Sequence, residues 1–203
     1  MSESEILPQA AAVADCSARI AAAADIAALV ACAAKARQLA LALQREEAGA
    51  ALVTSVLSRL NDAIVARVLA LLEPRFRLPP ARWCWLGLGS EGRLEQTLAT
   101  DQDNGLVFSA SDDGEARGLR ELFLPFAQAA NRALAECGFP LCDGEVMAGN
   151  PHWCLSQSEW LESFTAWMRT PEPEALLNAA IFFDFRPLAG DAELATGLRR
   201  SLA

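Results

Sequence analysis

The sequence predicts an α+β fold, with helices at both ends and short strands between them, on three observations. Residues 9–74 are dominated by alanine, the strongest helix former. Two short runs, "RWCWLGL" (82–88) and "NGLVFSA" (104–110), are apolar, partly aromatic and too short for buried helices. From Ser156 the helical pattern returns. With 203 residues, 53% of them hydrophobic and 21% charged, the chain can bury a substantial core.

Pro8 suits the first turn of an opening helix. Gly49 marks a break, after which Val53, Val56, Leu57, Leu60, Ile64, Val68 and Leu71 advance by threes and fours as one helical stripe. Pro74 and "LPP" at 78–80 end it. The run 82–88 then reads as a buried strand and 104–110 as a second. Residues 115–137 read as one or two helices, with Pro125 a break or kink. "GEVMA" (144–148) reads as a third strand. Ser156 and Glu159 have capping-box spacing, followed by an apolar face of Trp160, Phe164, Trp167 and Met168 that suits core packing. Pro173 and Asp191 mark two further helix starts, and the last helix reaches Ala203 without a capping signal, as an incomplete domain would. The implied division is a helical region at 1–78, a core at 79–155 and a partial helical domain at 156–203.

Charge and cysteine usage narrow the classes of function. The net charge is −9 and there is no dense Lys/Arg block, so nucleic acid is not the expected partner. The six cysteines form no CxxC pair and lie largely in apolar runs, so they read as reduced thiols, and Cys137 and Cys142 are not read as a metal pair. "MSESEILPQ" lacks the basic start of a secretory signal, and charges interrupt the alanine-rich run, so no membrane span is expected. The expectation is a cytoplasmic protein. The one histidine, His152, has no partner for a catalytic triad.

The link between the first two strands carries the chemistry. After Leu88, Gly89-Ser90-Glu91-Gly92 permits a tight turn with accessible backbone amides, and "RLEQTL" is expected to start a helix. Amides at a helix start suit a phosphate, to which Ser90 adds a hydroxyl and Arg93 a forked cation. Asp101 and Asp103 stand two residues apart, so in an extended segment both project from one face. Two carboxylates on one face repel unless a cation separates them, and Mg²⁺ takes one or two carboxylates together with substrate phosphates. A glycine-serine turn or a D-x-D pair alone also occurs in ordinary loops. Their combination with a strand before and a strand after is what points to a metal-bound nucleoside triphosphate. The spacing is neither a P-loop nor a Rossmann fingerprint.

"GLGSEGRLEQTLATDQDNGLVF" resembles the nucleotidyltransferase signature of the polymerase-β-like superfamily: a hydrophobic residue, Gly-Ser, about ten residues, then Asp-x-Asp. It is most similar to the DUF294 nucleotidyltransferase family, related to the N-terminal domain of PII-protein uridylyltransferase. "GFPLCDGEVMAGNPHW" (138–153) and "IFFDFRPLAGD" (181–191) extend the resemblance over roughly residues 50–203. It implies a polymerase-β-like core, a small mixed sheet flanked by helices, and then a helical substrate-binding domain. By the same resemblance Gly89, Ser90 and Gly92 would hold the triphosphate, Arg93 a phosphate oxygen, and Asp101 and Asp103 two Mg²⁺ ions. A third carboxylate is usual in the superfamily, and Asp143 and Glu145 are the candidates. Asp184 and Arg186 either pair with one another or line the substrate cleft.

Two functions stand from this reading. One is Mg²⁺-dependent transfer of a nucleoside monophosphate from a triphosphate to a PII-like regulatory protein or a small molecule, with a signalling role. The other is a nucleotide-binding regulatory module without turnover.

Overall fold

The computed structural model describes residues 3–45, 49–98, 100–169 and 184–202, the first six of these by backbone alone. Three helices open the chain: α1 (Glu3–Ala22), α2 (Ile26–Arg45) and α3 (Ala50–Leu72). Helix α1 begins ahead of Pro8, which lies in its second turn rather than its first. Gly49 is the N-cap of α3, and Pro74 falls in the 3-10 turn Glu73–Arg75 that follows it. The buried face of α3 holds Leu57, Leu60, Ile64 and Val68 of the expected stripe, together with Ser58, Asn61, Val65, Leu69 and Leu72. Of the described helices, α2 alone has the length and apolarity to cross a bilayer. It carries Lys35 and Arg37, buries Leu29, Ala33, Ala36, Ala40 and Leu43 on one face, and sends Arg37 to the carbonyls of Cys137 and Gly138.

Strands β1 (Trp83–Gly87) and β2 (Asn104–Phe108) lie where their sequences place them and pair antiparallel, from Trp83↔Phe108 to Gly87↔Asn104. Residues 144–148 are not a strand. They form turns, with Glu145 in the left-handed region at φ 55°, and they meet β2 at Asn104 alone, whose amide donates to the Val146 carbonyl and whose Oδ1 accepts from the Ala148 amide. The third strand is instead β3 (Cys154–Ser156), parallel to β2. A fourth, β4 (Arg186–Gly190), pairs antiparallel with β1 within a stretch expected to be helical. The sheet order is β3-β2-β1-β4. Pro187, which has no amide to donate, is tolerated because β4 is an edge strand.

Between β1 and β2 lies the single-turn helix α4 (Gly89–Gly92). The 24-residue helix α5 (Asp113–Glu136) runs through Pro125 unbroken and starts at Asp112, whose carboxylate accepts from the Glu115 amide. The capping box forms as spaced: the Ser156 amide donates to Glu159 Oε2 at 2.8 Å and the Glu159 amide to Ser156 Oγ at 3.3 Å, opening α6 (Gln157–Arg169). Trp160 and Phe164 of α6 are buried and Trp167 is half-buried, but Met168 is 53% exposed, at the end of the stripe. Helix α7 (Ala192–Leu202) starts after Asp191 as expected. The helix start at Pro173 lies outside the described residues.

Strand alternation divides the core in two. Trp85, Leu106 and Phe108 face one side and pack with α1, α2, α3 and α5. Cys84, Leu86 and Val107 face the other and pack with Trp160 and Phe164 of α6, Phe185, and Leu194 and Leu198 of α7. The mixed four-stranded sheet is thus covered by helices on both faces. Its β1–β2 link emerges at the end where Gly87 meets Asn104.

Candidate active site

The link begins by extending the ladder: the Leu88 amide donates to the Asp103 carbonyl at 2.9 Å. This bond sets the Gly89-Ser90 turn directly beside the Asp101–Asp103 segment. Gly89 has φ 52°, a conformation that costs a side-chain-bearing residue free energy and glycine very little. Within α4 the Gly92 amide returns to the Leu88 carbonyl and the Arg93 amide to Gly89, both at 3.0 Å. The helix expected over "RLEQTL" does not form. Leu94 turns left-handed at φ 59°, and the Glu95 amide closes back on the Ser90 carbonyl at 2.9 Å.

Gly92 serves close packing. A Cβ there would stand 1.6 Å from the Asp184 carbonyl oxygen, so the chain entering β4 lies against the turn. Asp184 and Arg186 do not pair with each other. Asp184 meets Arg93 Nη1 at 3.1 Å, while Arg93 Nε also holds Glu95 at 2.7 Å. Arg186 makes a two-pronged bond to Asp62 of α3 at 2.8 and 2.6 Å and donates from Nε to the Glu91 carbonyl at 2.8 Å. Helix α3 also contributes Asn61, which donates to Gln96 Oε1 at 3.1 Å. Gln96 in turn donates to Glu91 Oε1 at 3.3 Å. Glu91 is 6% exposed. Burial above all, then the nearby Asp62 carboxylate, pushes its carboxyl up to about 8, with Arg186 opposing and Asp103 adding to the rise. That shift favours the neutral form of the carboxyl beside the turn.

Asp101 and Asp103 lie on one face because Gln102 between them is locked inward. Gln102 Nε2 donates to the Asn131 and Phe139 carbonyls at 3.0 and 2.9 Å, and its amide donates to the Pro140 carbonyl at 3.0 Å. Asn131 of α5 donates to Gln102 Oε1 at 2.8 Å and to Asn104 Oδ1 at 3.0 Å, and accepts from the Gly149 amide at 2.8 Å. Asn104 Oδ1 also accepts from the Ala148 amide at 2.9 Å. Buried amide side chains with this many partners fix the local backbone, because each lost partner would strand a polar group.

The third group at the aspartates is Cys142. One donor atom each from Asp101, Asp103 and Cys142 lie within 4.8 Å of one another. The Cys142 thiol donates to the Asp103 carboxylate. The Asp103 carboxyl is raised by burial and by Asp101, and lowered by that bond. Asp143 and Glu145 are the two candidates for the third carboxylate, on residues expected to form a strand. Without the strand they stand exposed on a turn, outside the cluster formed among the described residues. The sequence reading missed Cys142, Asp62, Asn61 and Asn131. Asn61-Asp62 interrupting the α3 stripe was a usable signal; for Cys142 the sequence offered none.

Chemically, the arrangement offers two carboxylates of one face, a half-buried thiol and a glycine-serine turn tied to them by a backbone bond. Among known proteins, the family described as "Putative nucleotidyltransferase DUF294" matches residues 34–174. The match starts within α2, earlier than the motif-based resemblance, and ends before "IFFDFRPLAGD". No curated protein and no solved structure matches the chain.

Proposed function

The chain belongs to the DUF294 nucleotidyltransferase family, and from that premise we propose that it transfers a nucleoside monophosphate from a Mg²⁺-bound triphosphate to an acceptor, releasing pyrophosphate. The observation that carries this reading is the convergence of Asp101 and Asp103 beside the Gly89-Ser90 turn, joined through the bond from Leu88 to Asp103. The donor set fits the metal, since Mg²⁺ accepts one or two carboxylates and completes its octahedron with water and phosphate. Divalent ions held there would supply charge neutralisation and activation of the attacking oxygen.

The protein's own part is positioning. Gly89 lets the backbone approach a phosphate, and Ser90 offers a hydroxyl donor. Arg93 is held next to the turn by two exposed carboxylates, with which a phosphate would compete. The raised pKa of Glu91 favours a neutral group beside the incoming anion. Asp184 and Arg186 act here as supports of the turn.

For the acceptor, the resemblance favours a regulatory protein of the PII type, and the net charge of −9 disfavours nucleic acid. Six free cysteines support a cytoplasmic setting. A second reading, a nucleotide-binding module without turnover, is favoured by the position of Asp143 and Glu145 outside the cluster. Incubation with each triphosphate labelled at its α-phosphate and with cell extract, with and without Mg²⁺, separates the two. A Mg²⁺-dependent labelled product is expected. Nucleotide binding with no product from any triphosphate would leave the module as the reading.

A further inference from the structure

Four consecutive carbonyls after α5, from Cys137 to Pro140, are divided between two residues far apart in sequence. Arg37 of α2 donates from Nη2 to the Cys137 carbonyl at 2.9 Å and to the Gly138 carbonyl. Gln102 takes the next two, through Nε2 to Phe139 at 2.9 Å and through its amide to Pro140 at 3.0 Å. Gln102 stands between Asp101 and Asp103, so this turn joins helix α2 to the two carboxylates. The turn is shaped to receive the guanidinium. Gly138 lies at φ 86°, its amide on the Ala135 carbonyl at 2.9 Å, and the Phe139 amide closes on the Leu134 carbonyl at 3.0 Å. Such a glycine-terminated helix end turns the chain and presents the last carbonyls to a cation, which also meets the negative end of the helix dipole. A Cβ on Gly138 would overlap the Arg37 guanidinium. The guanidinium carbon stands 5.6 Å from the centre of the Phe139 ring, and Phe139 is buried in the helical core.

We propose that Arg37 is a positioning residue of the metal–nucleotide site: from α2 it fixes the turn at 137–140, and through Gln102 it fixes the placement of Asp101 and Asp103 on one face. The inference rests on the proposed function, since it concerns the same carboxylates. Asn131 holds Gln102 from within α5, accepting at its carbonyl and donating to Oε1. Arg37 supplies the hold from the other side, by locking the peptides whose neighbours accept from Gln102. Without the guanidinium the Cys137 and Gly138 carbonyls lose their fixed partner, and the Phe139 and Pro140 carbonyls are free to drift with them. The error then reaches the aspartates, where small misplacements of a metal-ligating group cost binding. Helix α2 thus has a part in the site beyond its apolar packing.

The test uses the full chain and amide hydrogen exchange followed by NMR, with Leu106 and Val107 of the central strand β2 as internal reference. Arg37→Met keeps the aliphatic stem and removes the donors. Its Gln102 amide is expected to exchange about tenfold faster relative to β2 than in the wild type. Arg37→Lys restores a cation with donors and is expected to recover part of that protection. Leu29→Ala, on the same helix but apart from the turn, controls for lost stability and should leave the ratio at its wild-type value. Arg37→Gln, with the same expected direction, takes the place of the methionine variant if circular dichroism shows that one unfolded. An unchanged ratio on loss of the guanidinium, no recovery in Arg37→Lys, or an equal rise in Leu29→Ala would each overturn the proposal. Mg²⁺-dependent nucleotide affinity is measured on the same samples and should fall about tenfold in Arg37→Met, but not in Leu29→Ala. Affinity retained in Arg37→Met despite faster exchange would also overturn it. Absence of nucleotide binding in the wild type counts against the proposed function, while exchange at Gln102 still decides whether Arg37 fixes the segment between the aspartates.

Discussion

In α2 the buried face is Leu29, Ala33, Ala36, Ala40 and Leu43, whereas in the link from β1 to the start of β2 Glu91, Gln96, Gln102 and Asn104 are buried among its residues. The helix is held by apolar contact, which is non-directional and roughly proportional to area. The link is held by hydrogen bonds with fixed partners, which specify a geometry rather than a volume. The directional kind of order lies where the two carboxylates meet the Gly89-Ser90 turn. The two regions should therefore respond to substitution in different ways.

The largest difference is expected between two glycines. Gly92→Ala drives a methyl group to 1.6 Å from the Asp184 carbonyl, whereas nothing lies within 4 Å of a Cβ on Gly118 in α5. The first should destabilise by ~3 kcal/mol or more, and the second should be neutral or stabilising by ~0.5–1 kcal/mol. Urea denaturation of both variants checks this. Equal small effects would mean that the chain entering β4 does not press on the turn.

Next comes a pair with similar cost but different consequence. Leu29→Ala opens a cavity in the helical packing, for ~2–5 kcal/mol. Asn131→Ala removes a partner from Gln102 Oε1, from Asn104 Oδ1 and from the Gly149 amide, for a loss on the order of 2–4 kcal/mol. Only the asparagine variant should also weaken Mg²⁺-dependent nucleotide binding at a temperature where both remain folded. If the leucine variant weakens it equally, the network is not what aligns the aspartates.

The contrast also explains what could be read from sequence. Periodicity exposes apolar order, so the N-terminal helices, β1, β2 and the capping box at Ser156 were legible. Composition alone misled at 144–148, where Val146 and Met147 suggested a strand but Gly144 and a left-handed Glu145 make a turn. It misled again at β4, whose Pro187 and Gly190 weaken any strand signal and whose pairing with β1 is non-local. Asp101 and Asp103 were legible as a same-face pair by spacing. Cys142 was not, because it arrives about forty residues later on a turn that no local pattern specifies.

A pH-dependent effect concerns Glu91. Its folded carboxyl lies at about 8 against 4.5 unperturbed. A carboxyl raised on folding contributes stability that is fully present below about 4.5 and lost as pH rises through about 8. Between those values the unfolded chain gives up the proton while the folded chain keeps it. The total is on the order of 3–5 kcal/mol before any relaxation. Glu91→Gln removes that dependence, so its melting temperature relative to wild type should climb between pH 5 and pH 8.5. A pH-independent difference would show that Glu91 is ionised or solvated.

The central claim is that Asp101 and Asp103, beside the Gly89-Ser90 turn, bind a metal–nucleotide. Calorimetric titration of nucleoside triphosphates with Mg²⁺ present, on the wild type and on Asp103→Asn, tests it most directly. The account predicts Mg²⁺-dependent binding in the wild type and at least about a tenfold loss in the variant, whose fold is preserved by circular dichroism. Wild-type affinity retained in Asp103→Asn would contradict it.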